Sequence, residues 1–313
     1  MATPTPTPIV LDCDPGHDDA IAMILAAAHP AVDLRAITTV AGNGALEAVT
    51  HNTRAVATLA GIHDVPIAAG ADGPLAGTPH EAAVDIHGES GLDGPPLPAP
   101  EVELDERGAT QLIADVCGAA SEPVVIVATG PLTNVALALD TVPREQVREI
   151  VWMGGSTDRG NRTPYAEFNA LSDPEAIDAV LRTGIPFTML GLNLTHQALA
   201  TRAVVAEIAA LETTLARTVA EWLGFFGDTY RTVFGMEAPP VHDPCAVALL
   251  CEPGVVRTVD AFLAVELEGR WTRGATVADL HGRLGHAPNA RVATELDAPR
   301  FWALVTDAVR ALG

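Results

Sequence analysis

Four carboxylates lie close together near the start of the chain, within the segment DCDPGHDDA over residues 12–20. Asp12 and Asp14 are two residues apart, so they share one face if an apolar strand runs into them. Asp18 and Asp19 suit the first turn of a helix. Packed side by side, such acids repel one another, and a hard divalent cation removes that penalty. The segment therefore predicts a metal site that suits Ca²⁺, although its spacing differs from the EF-hand loop.

Two other interpretations of this segment compete. In the first, Asp18 and Asp19 are only helix caps, which accounts for one or two of the acids but not for four beside the sharp Pro15-Gly16 turn. In the second, an apolar strand that ends in Asp-x-Asp resembles the haloacid-dehalogenase phosphotransferases, with Asp12 as the nucleophile. Those enzymes usually hold phosphate with a lysine, whereas all 18 basic residues here are arginine. The lack of lysine also excludes a Schiff-base enzyme and a P-loop.

The composition favours one globular domain with a large core. Hydrophobic residues make up 48% of the chain, and no uninterrupted apolar stretch is long enough to span a membrane. The formal net charge of −22 would repel nucleic acid. Four scattered cysteines without a CxxC pair favour a reduced, cytoplasmic setting. Residues 1–8 alternate Thr and Pro and predict a disordered tail, which leaves residues 9–313 as a single domain.

Apolar runs of strand length alternate with segments of helical period along the chain. The predicted strands are residues 9–11, 34–40, 66–69, 124–128, 150–153, 187–192, 255–268 and 291–296. The predicted helices are residues 20–28, 45–60, 108–120, 134–139, 173–181, 201–226 (as one helix or two), 243–250 and 299–312. This alternation predicts an α/β fold with a mostly parallel, Rossmann-like sheet and helices on both faces. In such folds, functional sites gather at the carboxyl ends of the strands.

Polar residues follow several of the predicted strands. Asn43 comes after the second strand, and Thr129 follows the strand that starts at residue 124. Residues 161–169 form a polar loop, and His242 and Asp243 stand at the start of a helix. Each feature alone is weak, but their recurrence after successive strands predicts one cleft of carboxylates, carboxamides and a histidine. Such a lining suits a polyhydroxylated ligand, that is, a sugar.

At the level of whole segments, the chain resembles the inosine-uridine nucleoside hydrolase family. The segments that carry the resemblance appear in the family's order and span most of the chain. They are DCDPGHDDA (12–20), ITTVAGN (37–43), IHGESGLDG (86–94), ATGPLTN (128–134), VWMGG (151–155), AEFNALSDPEA (166–176), GLNLTHQALAT (191–201) and VHDPCAVA (241–248). The combination of DxDxGxDDA with a distant HDP is highly specific. The resemblance implies an enzyme that cleaves the bond between ribose and a nucleobase.

The resemblance implies a calcium centre and an inverting reaction. Asp14, Asp19 and Asp243 match the calcium carboxylates, and Thr129 matches the residue that offers its backbone carbonyl. The metal would also hold the ribose 2′ and 3′ hydroxyls and a water, which attacks C1′ with Asp14 as the general base. His242 matches the acid that protonates the departing base. Attack by water predicts inversion and no covalent intermediate.

The remaining matched positions are implied to bind the substrate. They are Asp18, Asn43, Asn161, Glu167 and Asn169 around the sugar, Met153 against its ring, and His87, Phe168, Phe226 and Tyr230 near the base. Two positions depart from the family pattern: Asn193 stands where many relatives carry Asp, and Phe226 where many carry Tyr. The loop over residues 72–100 is expected to close over substrate. The family also implies a homodimer or homotetramer. A non-catalytic module that binds calcium or sugar is the third functional alternative.

Overall fold

The computed structural model describes residues 5–77 and 82–313. Its first strand, β1, spans Thr7–Cys13 and pairs in parallel with a strand that begins at Val32. The sequence placed residues 7 and 8 in a disordered tail, but both belong to β1, where Thr7 and Pro8 align with Val32 and Asp33. Residues 1–4 of the predicted tail lie outside the described residues.

Alternating strands and helices fill the described chain. The other strands are β2 (Val32–Thr39), β3 (Ile67–Ala69), β4 (Val124–Ala128), β5 (Val147–Met153), β6 (Phe187–Leu190), β7 (Val256–Val265), β8 (Thr276–Asp279) and β9 (Ala290–Leu296). The helices are α1 (His17–Ala28), α2 (Leu46–Leu59), α3 (Val84–His87), α4 (Ala109–Ala119), α5 (Thr133–Leu139), α6 (Phe168–Ser172), α7 (Pro174–Arg182), α8 (Leu192–Thr195), α9 (Arg202–Ala209), α10 (Thr214–Phe234), α11 (Pro244–Cys251) and α12 (Ala298–Leu312). A short 3₁₀ turn, Arg144–Gln146, precedes β5.

The strands form one mixed sheet in the order β3-β2-β1-β4-β5-β6-β9-β7-β8. All neighbouring pairs from β3 to β9 are parallel, whereas β7 pairs antiparallel with both β9 and β8. The predicted α/β fold with a mostly parallel sheet is confirmed. The strand predicted over residues 255–268 is shorter than expected, because the chain leaves β7 after Val265 and returns as β8.

The core lies on both faces of the sheet. Along β1, Ile9 and Leu11 pack into one hydrophobic layer and Val10 packs into the other, as the two-residue period of a strand requires. Helices α1, α10, α11 and α12 contribute to the first layer, and α4, α5 and α7 contribute to the second. The central strands are therefore apolar without alternation, which is typical of a parallel sheet covered on both sides. None of the described helices is long and apolar enough to cross a membrane.

Three differences from the sequence prediction shape the site. Helix α1 starts at His17 rather than at Ala20, and Asp18 and Asp19 lie in its first turn, as the sequence predicted. The region predicted as helical over residues 201–226 is two helices, and the second runs on to Phe234 before Gly235 ends it at a φ of 67°. Finally, the segments predicted as polar loops contain the short helices α3 and α6.

Candidate active site

The carboxyl ends of the parallel strands bring the predicted site residues together. Asp12 on β1 aligns with Thr38 on β2 and with Ala128 on β4, so these strands end at one edge of the sheet. The residues that follow each strand therefore meet there, with Asp14 after β1 and Thr129 after β4. This is the edge at which sites form in open α/β sheets.

Three buried carboxylates form a compact cluster at this edge. One oxygen from each of Asp18, Asp19 and Asp243 lies within 4.8 Å of the other two. Asp243 precedes α11, far along the chain from α1, and the two segments are joined by a hydrogen bond of 3.1 Å from the His242 backbone N–H to Asp18 Oδ2. The sequence expected Asp14 rather than Asp18 in this group, with Asp18 on the ribose.

Asp19 is fixed by four hydrogen-bond donors. Oδ1 accepts from Thr129 Oγ1 at 2.7 Å and from the Asp14 backbone N–H at 3.2 Å. Oδ2 accepts from the Gly16 backbone N–H at 3.0 Å and from Asn43 Nδ2 at 3.2 Å. The Pro-Gly turn before α1 and the loops after β2 and β4 thus hold one carboxylate in place. Groups that surround a metal ligand in this way fix the orientation in which it meets the metal.

Asp14 lies beside this group and has one oxygen free. Its Oδ2 accepts from the Asn43 backbone N–H at 2.7 Å. Its Oδ1 is buried and has no hydrogen-bond partner within the described part of the chain. Gly42 and Gly130 allow this position, because a Cβ at Gly42 would overlap Asp14 Oδ2, and one at Gly130 would lie 2.7 Å from Oδ1. A buried carboxylate oxygen without a donor is costly unless a cation or a proton meets it.

The electrostatics of these acids favour a bound cation. Burial raises the pKa of Asp14 well above its usual range, and the neighbouring Asp19 raises it further. Burial and then Asp19 raise the pKa of Asp18 to about 7, and burial and then Asp18 raise that of Asp243 well above its usual range. Oxygen donors crowded in this way fit a hard divalent cation such as Ca²⁺. The Thr129 carbonyl, the fourth of the predicted metal donors, accepts a hydrogen bond of 2.8 Å from Asn169 Nδ2.

A pocket opens above the acid cluster and contains about 510 Å³ of space, part of it open to solvent. All ten predicted substrate-binding residues line it, together with Thr129, His242 and Asp243. Those ten are Asp18, Asn43, His87, Met153, Asn161, Glu167, Phe168, Asn169, Phe226 and Tyr230. Asp14 and Asp19 do not line the pocket themselves, although an oxygen of Asp19 lies within 4.8 Å of the lining acids Asp18 and Asp243. Asn193 does not line it either, and its Nδ2 donates to the Ala293 carbonyl at 2.9 Å.

One side of the pocket is built by the loop before α6. Glu167 caps that helix, and its carboxylate accepts from three backbone N–H groups, of Gly155, Asn169 and Ala170, at 2.7–3.1 Å. Burial nevertheless raises the pKa of Glu167 to about 7, against the lowering effect of these donors. Asn161 Oδ1 accepts from the backbone N–H of the residue after Glu167 at 2.9 Å. The polar loop is therefore an ordered wall.

His242 is the centre of a hydrogen-bond chain. Its Nδ1 lies 2.7 Å from Thr195 Oγ1, and its Nε2 lies 2.8 Å from the Tyr230 hydroxyl. Burial lowers the pKa of His242 to about 3, and burial and nearby acids raise that of Tyr230 well above its usual range. Both groups are uncharged at neutral pH. The sequence analysis missed Thr195, which lies within the quoted segment GLNLTHQALAT but carries no pattern of its own.

The far wall of the pocket is aromatic. Phe226 stacks on His87 with ring centroids 5.4 Å apart and meets Tyr230 edge-on at 4.8 Å. Behind them His17 stacks on His87 at 5.3 Å and on Phe225 at 5.1 Å. His17 was not predicted as a site residue. It lies between the acids of the first motif, where the prediction depended on the carboxylates alone.

The fold and site together define a class. A mostly parallel α/β sheet carries a buried acid cluster at the floor of a pocket whose walls offer polar groups on one side and aromatic rings on the other. Residues 9–303 match the family described as inosine-uridine preferring nucleoside hydrolase. The chain belongs to that family, so the predicted resemblance and the assignment as a nucleoside hydrolase enzyme are confirmed.

Relatives cover nearly the whole chain. The chain is 44% identical over 312 residues to an inosine-uridine preferring nucleoside hydrolase of Crithidia fasciculata, covering 98% of this chain and 99% of the relative. It is 43% identical over 306 residues to the pyrimidine-specific ribonucleoside hydrolase RihA of Photobacterium profundum, with 96% and 97% covered. The solved structure of a purine-preferring ribonucleoside hydrolase from Gardnerella vaginalis is 31% identical, with a TM-score of 0.91 over 98% of this chain and 99% of that chain.

Proposed function

We propose that this enzyme hydrolyses the N-glycosidic bond of ribonucleosides to ribose and free base, with Ca²⁺ in the acid cluster and with inversion at C1′. The observation that carries the proposal is the cluster of Asp18, Asp19 and Asp243 at the floor of a pocket lined by polar and aromatic side chains. The relatives differ in the bases that their names give, so we propose inosine and uridine as the substrates to test first.

The donor set supports a calcium site. Asp19, Asp243 and the Thr129 carbonyl would hold the ion. The remaining carboxylate ligand would be Asp14, as the sequence predicts, or Asp18, which the geometry of the cluster favours. When bound, Ca²⁺ would lower the pKa of a water, orient it toward C1′ and bind two ribose hydroxyls. Whichever of the two acids is not a ligand remains free to accept a hydrogen bond from the sugar.

Asp14 is suited to act as the general base. Its free Oδ1 is buried beside the cluster, and the raised pKa of its carboxyl makes it a better proton acceptor than an exposed aspartate. General acid–base assistance of this kind is typically worth about 10²–10⁴-fold in rate. Because the proton acceptor activates water and forms no bond to carbon, the product sugar has inverted configuration.

The walls of the pocket would hold the sugar. Carboxamides are presented by Asn43, Asn161 and Asn169. Glu167 presents a carboxyl group whose pKa is raised to about 7. Several such contacts would position C1′ next to the attacking water, and this positioning raises the reaction rate. Met153, which is nearly fully buried beneath the pocket, would pack against the ribose ring.

Departure of the base requires a proton at the aromatic wall. His242 is uncharged at neutral pH, so for each turnover it would take up one proton from solvent, give one proton from Nε2 and return to its uncharged form. The Tyr230 hydroxyl lies 2.8 Å from Nε2 and Tyr230 also lines the pocket, so the hydroxyl would accept this proton and pass its own to the base. Because burial lowers the pKa of His242 to about 3, its protonated form is scarce, which favours bases that leave readily once they are hydrogen-bonded.

A substrate panel tests the proposal. The purified enzyme is incubated with inosine, adenosine, uridine and cytidine, and free base and ribose are quantified after EDTA treatment and after Ca²⁺ is restored. We expect chelation to abolish release and calcium to restore it. Hydrolysis of phosphate esters with nucleosides untouched would instead support the Asp12-nucleophile alternative, and binding without turnover would support a non-catalytic module.

Light scattering of the same sample tests the predicted homodimer or homotetramer. The cytoplasmic setting stays a prediction.

A further inference from the structure

The inference concerns His17, a buried histidine to which the reaction outlined above gives no task. Its ring is fully buried and stacks on His87, Phe225 and Phe226 with centroids 5.1–5.3 Å apart. It also makes two polar contacts, one at each ring nitrogen. Nε2 lies 2.7 Å from the backbone carbonyl of Asp93, and Nδ1 lies 3.1 Å from His87 Nδ1.

These two contacts fix where the protons lie. A carbonyl oxygen only accepts hydrogen bonds, so His17 Nε2 carries a proton. An uncharged His17 then has a lone pair at Nδ1, and His87 must donate its own Nδ1 proton to it. His87 in turn has a lone pair at Nε2, since a neutral imidazole carries one proton. In the described part of the chain, no group hydrogen-bonds His87 Nε2, and His87 lines the substrate pocket.

The opposite arrangement requires a charged His17. In that case His17 would donate from Nδ1, and the lone pair of His87 Nδ1 would also face the His17 backbone N–H at 3.4 Å. The 3.4 Å contact is long for a hydrogen bond, and the charged ring would be stacked among three other rings. Among the described residues, no carboxylate oxygen hydrogen-bonds either nitrogen of His17. Burying a charge without such a partner is expensive, so the uncharged arrangement is favoured.

The position of the His87 ring is constrained as tightly as its proton. A Cβ on Gly16 would overlap His87 Nδ1 and Cε1, so the imidazole lies directly on the bare glycine of the first motif. The segment around Asp93 returns to accept from His17, and it also holds the turn after α3 through its carboxylate and Ser90. His17 therefore joins the metal-binding turn to the loop that carries His87.

We infer that His17 is a positioning residue which sets the tautomer of His87, so that His87 presents a hydrogen-bond acceptor to the nucleobase and favours bases with a ring N–H. This inference rests on the proposed function and names a substrate class for it. Uracil and hypoxanthine carry such a ring N–H, whereas the corresponding nitrogen of cytosine is itself an acceptor. Two lone pairs facing each other are destabilising, which discriminates against cytidine.

The first test reads the tautomer directly and does not depend on activity. The calcium-loaded full chain is labelled with ¹⁵N-histidine, and long-range ¹H–¹⁵N correlation spectra are recorded, with His87→Gln used to assign the His87 signals. We expect His87 to be protonated at Nδ1 in the wild type. His17→Phe keeps the stacked ring but has no nitrogen, so His87 should move toward the Nε2-protonated form. A wild-type His87 protonated at Nε2 would overturn the inference.

The second test reads base selectivity. We expect the ratio of kcat/KM for uridine to that for cytidine to exceed one in the wild type and to fall about tenfold in His17→Phe. His17→Asn, which retains an acceptor near Nδ1, should lose less and serves if the Phe variant does not fold. Phe225→Leu removes a stacking ring but neither hydrogen bond, so its ratio should match the wild type. An unchanged ratio in His17→Phe and His17→Asn overturns the selectivity role. If no nucleoside is cleaved at all, the proposed function fails, while the spectra still decide the role of His17.

Discussion

The Tyr230 hydroxyl lies 2.8 Å from Nε2 of His242, and both groups face the pocket. Tyr230 comes from α10 and His242 from the segment just before α11, so the contact exists only because α10 continues past the residue where its predicted end lay. Nε2 of His242 is thus occupied by the tyrosine hydroxyl, and its Nδ1 is occupied by the Thr195 hydroxyl. A proton that leaves His242 toward the base therefore passes the phenol oxygen.

Replacing Tyr230 with Phe should slow reactions that need a protonated leaving group. The ring still packs against Phe226, but the hydroxyl that bridges to His242 is lost. We expect kcat for inosine and uridine to fall by about 10²-fold or more. Hydrolysis of p-nitrophenyl riboside should be largely spared, because p-nitrophenolate leaves without a proton. Steady-state kinetics on both substrates measure the difference.

His242→Ala should show the same leaving-group dependence. Thr195→Val is the matched control for packing, since it removes only the partner of Nδ1 at the far end of the chain. We expect Thr195→Val to have a smaller effect than either other variant. Equal losses on inosine and on the activated riboside would show that this chain positions the substrate rather than protonating the base.

Part of the site could be predicted from the sequence because some of its residues directly follow strands. The strand over residues 124–128 has the predicted bounds, since its β-branched run is bounded by proline and glycine. Strand ends locate a site in a parallel sheet, which predicts that Asp14 and Thr129 meet at one edge, whereas Asp243 comes from the segment between α10 and α11. Which of Asp14 and Asp18 faces the cluster depends on side-chain directions around the Pro15-Gly16 turn, and periodicity does not encode them.

Other parts of the site could not be predicted, for physical reasons. Helices α3 and α6 are four and five residues long, too short to show a helical period, yet they carry His87 and Phe168. Strand β8 has only four residues and lies at the sheet edge. Thr195 and His17 act through contacts with residues distant in sequence, which only tertiary packing brings together.

Gly42→Ala should weaken metal binding without contact with the metal. A methyl group there would overlap Asp14 Oδ2, the oxygen held by the Asn43 backbone N–H, and would displace the carboxylate. Changes to groups that orient metal ligands typically cost about 10- to 100-fold in metal affinity, and we expect a loss in that range by calorimetric titration with Ca²⁺. Gly44→Ala is the matched control, because its Cβ would lie 3.3 Å from Val49 Cγ1, its nearest neighbour, and would not contact Asp14. Equal affinities of the two variants would contradict this role for Asp14.

Asp14→Asn should separate the stability of the site from its function. The amide keeps the shape of the carboxyl group but removes the cost of burying an ionisable acid whose Oδ1 has no partner and whose pKa burial raises. Without calcium, we expect the variant to be more stable than the wild type by about 1–3 kcal/mol, since the desolvation penalty is relieved. Calcium at a hundredfold excess over its Kd should stabilise the wild type by about 2.7 kcal/mol and the variant by much less. Urea unfolding with and without Ca²⁺, together with loss of nucleosidase activity, measures both effects. Asp64→Asn, an exposed change, should match the wild type throughout.

Glu167 should make stability depend on pH between 5 and 8. Burial raises its pKa from 4.5 to about 7, so the folded state holds this proton over a range in which the unfolded chain has released it. The contribution of this group to the free energy of unfolding is therefore fully present below pH 4.5 and is lost as the pH rises toward 7. Relative to Glu167→Gln, which does not titrate, the wild type should lose about 2–3 kcal/mol of its free energy of unfolding between pH 5 and pH 8.

Urea unfolding of both proteins at several pH values tests this prediction. The exposed Glu122→Gln should show no such difference from the wild type. A wild type that gains stability relative to Glu167→Gln as the pH rises would mean that the three backbone donors outweigh burial and keep Glu167 ionised.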